Sequence, residues 1–292
     1  MEDRLVRAFV AVADHGTFGA AAKALAVTQP ALTKQIQALE ARIGGAVFRR
    51  GRLGARLTPL GRTLVPDARD ALDRLDGFEL RAKRLTAGGA GRLALAFGLS
   101  TIDFAPRAVA EFRRRHPDVG VTLDDMASAV QLERLRRGQL DAGFARLPVD
   151  PDLSVLELGV DQLTLAVPGN VDTGPGVREL IRRHGMVALV QTRGPGFVDQ
   201  VQRYLAAEGI KPRVLQRAND LQTVMALVAA GVGVALVSAR APVVIAPERI
   251  RWVPIDHEAA RWRIGLVWGG GEVAPALEAF LDVTRELAAA GW

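Results

Sequence analysis

Gln29, Thr33, Lys34 and Gln37 are spaced to fall mostly on one face of a helix, and each carries a group that bonds nucleic acid. Gln bonds adenine through two hydrogen bonds. Thr reaches a base edge or packs on a thymine methyl, and Lys reaches guanine or a phosphate. Farther along, Arg49, Arg50, Arg52 and Arg56 ride on one short run that contains no acid. Arginine suits the narrow, negative minor groove and the phosphate backbone. A second set, Ser100, Thr101, Thr192, Arg146 and Arg193, offers hydroxyls and guanidinium groups, the chemistry that holds a small anion.

The charge distribution agrees with the first set. Residues 1–62 hold 10 Lys and Arg against 4 Asp and Glu, which equals the net charge of +6 of the whole 292-residue chain. Residues 63–88 and 89–292 are balanced. A basic head on a neutral body is the footprint of a nucleic-acid-binding module attached to something else. Aromatics are only 5%, too few for a single-strand binder built on stacking. The absence of cysteine removes disulfides, thiolate metal sites and thiol nucleophiles. The start mixes charges and does not read as a signal peptide. The longest apolar stretch, 224–237, is too short and too interrupted by glycine to span a bilayer. The expected location is the cytoplasm.

Three helices must position the head's polar groups. Leu5, Phe9 and Val12 recur at helical spacing, predicting a first helix over 4–14 that His15-Gly16 ends. Thr17 is a good N-cap for an alanine-rich second helix over 18–25. After a short turn Thr28 caps a third helix, with Pro30 in its first turn, where a missing N–H costs nothing. Ala31, Leu32, Ile36 and Leu39 form its apolar face. Two helices joined so tightly read as a helix-turn-helix. The run that follows, with the turn Gly51-Arg-Leu-Gly54, reads as a β-hairpin wing.

The stretch from Phe9 to Gly61 resembles the amino-terminal domain of LysR-type transcriptional regulators. The matching motifs are Phe9-Val-Ala-Val-Ala, Gly16-Thr-Phe, Ala21-Ala-Lys-Ala-Leu, Thr28-Gln-Pro-Ala-Leu-Thr, Gln35-Ile-Gln-Ala-Leu-Glu, Ile43-Gly-Gly, Phe48-Arg-Arg and Leu57-Thr-Pro-Leu-Gly. Thr28 and Thr33 stand where the family usually has serine. The resemblance implies a winged helix-turn-helix that binds DNA as a dimer, with base-reading positions on Gln29, Pro30, Thr33 and Lys34. The DNA-binding set expected is Thr17, Thr28, Gln29, Pro30, Thr33, Lys34, Gln37, Arg49, Arg50 and Arg52.

A long helix over 59–88 follows, with Leu60, Leu64, Ala68, Ala71 or Leu72, Leu75, Phe78, Ala82 and Leu85 at steps of three or four. One apolar seam without a second helix of its own packs on a partner copy, and the resemblance implies a dimerising linker here. The body, 89–292, alternates strand and helix, the signature of a parallel α/β sheet. Its pattern recurs 93 residues later: Leu95 matches Ala188, Phe104 Phe197, Phe112 Leu205, Val121 Val214, Gly138 Gly231 and Ala142 Ala235. Two similar halves are therefore expected, a first lobe over 92–161 and 268–292 and a second over 162–267. Segments 162–167 and 250–255 would cross between them, and a tail helix over 273–290 would return to the first. The resemblance extends here through Phe112-Arg-Arg-Arg-His-Pro-Asp-Val, Leu135-Arg-Arg-Gly-Gln-Leu-Asp-Ala-Gly and Val228-Ala-Ala-Gly-Val-Gly-Val-Ala-Leu-Val. Ser238 stands where the family usually has proline.

The fold class expected is thus α/β: a winged helix-turn-helix (1–58), a linker helix (59–88) and a two-lobed, periplasmic-binding-protein-like effector domain (89–292). Ligands bind such sheets beyond the carboxyl ends of the strands. The loops there carry Ser100, Thr101, Ser128, Phe144, Arg146, Thr192, Arg193, Phe197, Asn219 and Ser238, the expected ligand-binding set. Ser100-Thr101 and Thr192-Arg193 each precede a predicted helix N-terminus, so a small carboxylate is the expected effector. Asp103, Asp199 and Asp220 read as helix caps.

Enzyme signatures fail on inspection. Gly231-Val-Gly233 leaves a helix and enters a strand, the reverse of a dinucleotide fingerprint. Gly98-Leu-Ser100 lacks the second glycine of a nucleophile elbow. His15, His116, His184 and His257 have no metal-ligand spacing. No catalytic residue, metal or cofactor is expected. The partners expected are double-stranded DNA, a second copy of the chain (homodimer, then homotetramer), the effector and RNA polymerase, with no membrane. A second reading keeps the body as a small-molecule-binding or catalytic α/β protein and the head as an accessory interaction module.

Overall fold

Apolar residues at helical spacing and side-chain caps shape the first of two units, Met1–Ala82 and Lys83–Trp292. The computed structural model describes residues 2–51, 54–86, 91–190, 194–243 and 249–291. Helix α1 (Asp3–His15) buries Leu5, Ala8, Phe9 and Val12, and ends where Gly16 turns left-handed at φ 69°. Helix α2 (Phe18–Ala24) starts as Thr17 accepts a hydrogen bond from the Ala20 N–H, and α3 (Gln29–Ile43) starts as Thr28 accepts one from Ala31. Between them Ala26 sits at φ 53°, a left-handed conformation that L-residues rarely hold.

Strands β1 (Phe48–Gly51) and β2 (Gly54–Leu57) pair antiparallel as the expected wing. Phe48 packs edge-to-face against Phe9 and Phe18, so the wing root belongs to the head's core. Glu40 accepts hydrogen bonds from the Val47 and Phe48 N–H groups and so orients the wing from the last turns of α3.

Helix α4 (Pro59–Thr86) is the expected linker. The Thr58 hydroxyl accepts from the Gly61 N–H at 3.0 Å and donates to the Ala46 carbonyl at 2.8 Å. At 100° per residue, Val65, Arg69, Leu72 and Asp76 share one face. Val65 joins the head's core, and Arg69–Asp14 and Arg7–Asp76 ion pairs hold this face to α1. Leu60, Leu64, Ala71, Leu75 and Phe78 share a second face, where Leu60 is 40% and Phe78 69% exposed. The seam therefore runs through Ala71, while Leu72 falls on the face of Val65 and Arg69; Leu72 and Leu75 are both half-buried.

The second unit repeats one pattern. β3 (Arg92–Phe97), α5 (Ala105–Arg115), β4 (Gly120–Asp125), α6 (Ser128–Arg136) and β5 (Ala142–Arg146) form the first half. Strand β6 (Leu153–Pro168) and helix α7 (Val177–His184) lead to β7 (Met186–Leu189), α8 (Pro195–Ala207), β8 (Val214–Ala218), α9 (Leu221–Ala229) and β9 (Ala235–Ser238). The 93-residue offset carries α6 onto α9 residue for residue and the other elements to within a few residues. α7 has no counterpart and was not expected. β10 (Ile250–Pro254), β11 (Arg261–Gly269) and α10 (Pro275–Ala289) complete the unit.

Two boundaries differ from expectation. β6 runs from the first sheet, where it pairs with β11, into the second, where it pairs with β9 and β10. Residues 164–168 and 250–254 pair with each other inside the second sheet, so they are not the crossing segments. The chain crosses just before, at Asp161-Gln162-Leu163, and returns between β10 and β11. β11 pairs with β5 over 264–268, so the first half resumes at Arg261 and not at 268. Short apolar strands read alike from sequence, and only pairing assigns them to a sheet. α10 returns to the first half as expected: Phe280 packs on Phe112 and Phe144 in its core.

Gly61 is where α4 touches the wing root. A Cβ there would fall on the Val47 carbonyl oxygen, a backbone atom that already accepts from the Thr58 N–H. Gly61→Ala should therefore lower amide protection across α1–α3 by the equivalent of about 1–3 kcal/mol, measured by hydrogen exchange on the full chain. Gly19→Ala, whose Cβ would meet only Gln29 Oε1 at 3.9 Å, should leave protection unchanged or raised.

Candidate nucleic-acid face and ligand cleft

In the head, packing and exposure divide α3 cleanly. Leu32, Ile36 and Leu39 are buried, while Gln29, Pro30, Lys34 and Gln37 are exposed and Thr33 is half-buried. Thr17 and Thr28 are exposed helix caps at the entrances of α2 and α3, so their hydroxyls are already bonded to backbone N–H groups. Arg49 is exposed on β1. The Arg50 side chain and all of Arg52 lie outside the described residues.

In the second unit the centre is Arg146, the last residue of β5. Its backbone N–H donates to the Ser128 hydroxyl at 3.1 Å, which fixes the strand end against the start of α6. Its guanidinium lies 3.9 Å over the Trp262 ring and 5.3 Å from Phe197, and it donates to the Gly196 carbonyl at 3.4 Å. A cation over aromatic faces is held by the ring quadrupole. Burial pushes the Arg146 guanidinium down to about 10; Asp161 opposes this and Arg203 adds to it. Below that value it carries a full charge, and among the described residues no carboxylate touches it.

Beneath it lies a group that sequence reading missed. Asp161, 2% exposed, stands where β6 passes between the sheets. It accepts from the Ser238 hydroxyl at 2.7 Å and from the Gln162 N–H at 2.8 Å, and it also bonds the Ser100 hydroxyl. The direction of each bond is fixed. Trp262 Nε1 donates to Ser100 Oγ at 3.1 Å, and the Arg240 N–H donates to Ser238 Oγ at 3.0 Å. Both hydroxyl oxygens already accept, so both hydroxyl hydrogens are left for the carboxylate. Burial nevertheless raises the Asp161 carboxyl above its ordinary value, against the lowering by Ser100, Ser238, Gln162 and Arg146. In a β run that alternates in character, Val160-Asp161-Gln162-Leu163 reads as an ordinary solvent-facing turn of the pattern. No local signal marks it.

The other expected ligand residues divide. Ser100, Ser128, Arg146, Phe197 and Ser238 are brought together around this point. Thr101 is 1% exposed and donates to the Gly98 carbonyl, so it serves a turn. Phe144 is 2% exposed and packs edge-to-face on Phe104 and Phe280, which corrects it from ligand contact to core. Asn219 is exposed beside Asp220. Thr192 and Arg193 lie outside the described residues. The helix expected from Phe104 to Arg115 begins at Ala105, and a 3-10 turn, Leu99–Thr101, precedes it, so Ser100 and Thr101 lie in that turn and not at the helix N-terminus. Asp220 caps α9 as expected, accepting from the Thr223 N–H. Asp103 does not act as the expected cap: it pairs at 2.7 Å with Arg240 and so joins the two halves.

Among the described residues no His, Asp and Glu side chains gather in threes as a metal site, and no helix is long and apolar enough to cross a membrane.

Ser238→Ala removes a donor to a buried charge. It should cost about 1–3 kcal/mol near neutral pH. Because the folded-state Asp161 carboxyl is already raised above 3.8, its stabilisation is complete below that value and lost as pH rises through the folded value. Removing Ser238 raises it further. The cost should shrink as pH falls, read as the gap between wild-type and variant urea midpoints at pH 8 and pH 5.

Comparison with known proteins bears on both units. The model of the bacterial regulatory helix-turn-helix protein, lysR family, matches residues 4–62, and that of the LysR substrate binding domain matches 86–289. The transcriptional regulator TfdS of Cupriavidus pinatubonensis is 31% identical, with 98% of each chain covered. Full-length CbnR solved with its target DNA is 28% identical, with 98% of this chain and 99% of that one covered and a TM-score of 0.72. The effector binding domain of BenM, solved with its effector benzoate, shares the fold over 68% of this chain and 92% of its own, at 24% identity and a TM-score of 0.59.

Proposed function

The chain belongs to the LysR family of bacterial regulators, and on that premise we propose that the exposed face of α3 reads operator DNA while Arg146 receives a small organic anion. It is a DNA-binding transcriptional regulator with a separate effector-binding domain. The observation that carries the assignment of residues is the division of α3. One face, with Leu32, Ile36 and Leu39, is spent on the head's core, and the opposite one presents Gln29, Pro30, Lys34 and Gln37 to solvent. An exposed recognition face beside a basic wing fits a major groove and its flanking phosphates. Gln29 and Thr33 specify bases, while Lys34, Arg49, Arg50 and Arg52 add phosphate or minor-groove contacts.

For the ligand, a charged guanidinium stacked on Trp262 and edged by Phe197 favours a flat carboxylate. Benzoate is the simplest such molecule, and it is what the BenM domain of the same fold holds. The apolar stripe on α4 with Leu60 and Phe78 exposed and Leu75 half-buried is the surface for a second copy, giving a homodimer and then a tetramer. Contact with RNA polymerase and a cytoplasmic location belong to the same reading. The relatives compared are named as regulators, and the reading assigns no catalytic residue.

Replacing Gln29 with Ala should lower discrimination between operator and random DNA by about 1–3 kcal/mol, measured by competition binding on the DNA upstream of its own gene. Replacing Lys34 should weaken both and reduce the salt slope. An unchanged specificity ratio in Gln29→Ala would refute the recognition-helix assignment. For the linker, Leu75→Glu should give monomers in sedimentation, with operator binding lost; a soluble dimer that binds normally rules out that seam.

A further inference from the structure

Three elements meet at Asp161. Ser100 comes from the first half, Asp161 from the strand that crosses, and Ser238 from the end of β9 in the second half. All the donors described for this carboxylate are hydroxyl or backbone groups whose other valences are used: Trp262 Nε1 fills Ser100 Oγ and the Arg240 N–H fills Ser238 Oγ. The cluster is thus an anion site already holding an anion, and that anion is part of the chain. Arg146, which stacks on the same Trp262, lies within the Coulomb reach of Asp161 without touching it.

We propose that Asp161 is the cleft's internal competitor: a ligand carboxylate entering beside Arg146 takes the Ser100 hydroxyl from Asp161, and Asp161 takes up a proton from solvent. This rests on the reading of Arg146 as an anion site. Two carboxylates that share hydroxyl donors and one guanidinium disfavour each other's charge. The ligand keeps its charge because it takes the direct contact with Arg146, while Asp161 has burial against it. Once protonated, Asp161 donates one hydrogen bond itself and needs one fewer, so the Ser100 hydrogen is free to turn to the ligand. The exchange loosens Ser100 of the first half from Asp161 and leaves Ser238 of the second half attached, so occupancy changes which half the crossing strand is tied to. The charged groups that face this point are Arg146 on β5, Arg203 on α8 behind Arg146, and the Arg240–Asp103 pair beside β9. In Arg240–Asp103 each charge is already matched. Asp161 is the buried carboxylate within reach of Arg146.

The test is titration calorimetry of the full-length protein with benzoate, in two buffers of different ionisation enthalpy, from pH 6 to pH 8, where benzoate stays ionised. Wild type should take up part of a proton on binding and weaken by about fivefold or more across the range, the low end of ordinary coupling between sites. Asp161→Asn should bind about fivefold or more tightly at pH 8, with no proton uptake and no pH slope. Binding to Asp161→Asn where wild type fails also supports the proposal. Binding of wild type without proton exchange, or equal slopes in the two proteins, overturns it and leaves the anion reading intact. No binding by either protein overturns both. Should Asp161→Asn not fold, Ser238→Ala keeps the carboxylate but removes a donor. Proton uptake must then move to higher pH, and an unmoved profile overturns the proposal.

Discussion

Strand β6 runs for 16 residues through both sheets of the effector unit, and the cost of that continuity falls on one carboxylate. A strand shared by two sheets leaves the chain no loop in which to keep polar groups wet at the point of crossing. Asp161 is buried there, and a buried charge persists only with hydrogen bonds on every side. Those bonds come from Ser100, Ser238 and the Gln162 backbone. The positions of the first β–α loop, the β9 end and the start of β11 at Trp262 are thereby fixed to one point. Arg146 then finds its stacking surface in Trp262, and through Gly196 and Phe197 it meets the N-terminal turn of α8. Ser100, Ser238, Trp262 and, through Trp262, Arg146 are thus placed by the groups that solvate that carboxylate.

The head obeys a different constraint. Among the described residues its 12 buried apolar side chains come from three helices, the wing root and α4, and α3 gives Leu32, Ile36 and Leu39 to that core. The rest of α3 is left to solvent or a groove, so its polar face is legible without a partner. α4 divides its surface likewise. One face is held to α1 by Arg69–Asp14 and Arg7–Asp76, and a second is apolar, with Leu60 and Phe78 exposed.

What could be read from the sequence follows from how local each signal is. The Thr17, Thr28 and Asp220 caps, the Gly16 helix stop, the wing and the linker helix depend on residues within a few positions of one another, and they lie where they were expected. The 93-residue repeat was legible because it is a periodic property, indifferent to topology. Three things were not. Asp161 takes its meaning from residues 61 and 77 positions away, and an isolated Asp in an alternating strand looks solvated. Phe144 was expected at the cleft, but its ring packs on Phe104 and Phe280, contacts made with residues 40 and 136 positions away that no local pattern shows. The crossing point was displaced because 164–168 and 250–254 carry the apolar character of strands, and character alone does not say which sheet a strand joins.

Ser238 shows how a departure from the family pattern becomes interpretable once its partner is known. Proline at this position has no hydroxyl. A chain with proline there could not donate to Asp161 from β9, nor accept the Arg240 N–H on that side chain. A buried aspartate held from only one half of the domain would lose a donor worth about 1–3 kcal/mol, enough to favour its protonation or its replacement. Asp161 and Ser238 are therefore one feature, expected to be present or absent together. Because that feature sets the charge beside Arg146, a chain with proline at this position would present a different charge there. The fold and the DNA-binding head are shared with the family, and Asp161 with Ser238 fixes the charge that this chain holds beside Arg146.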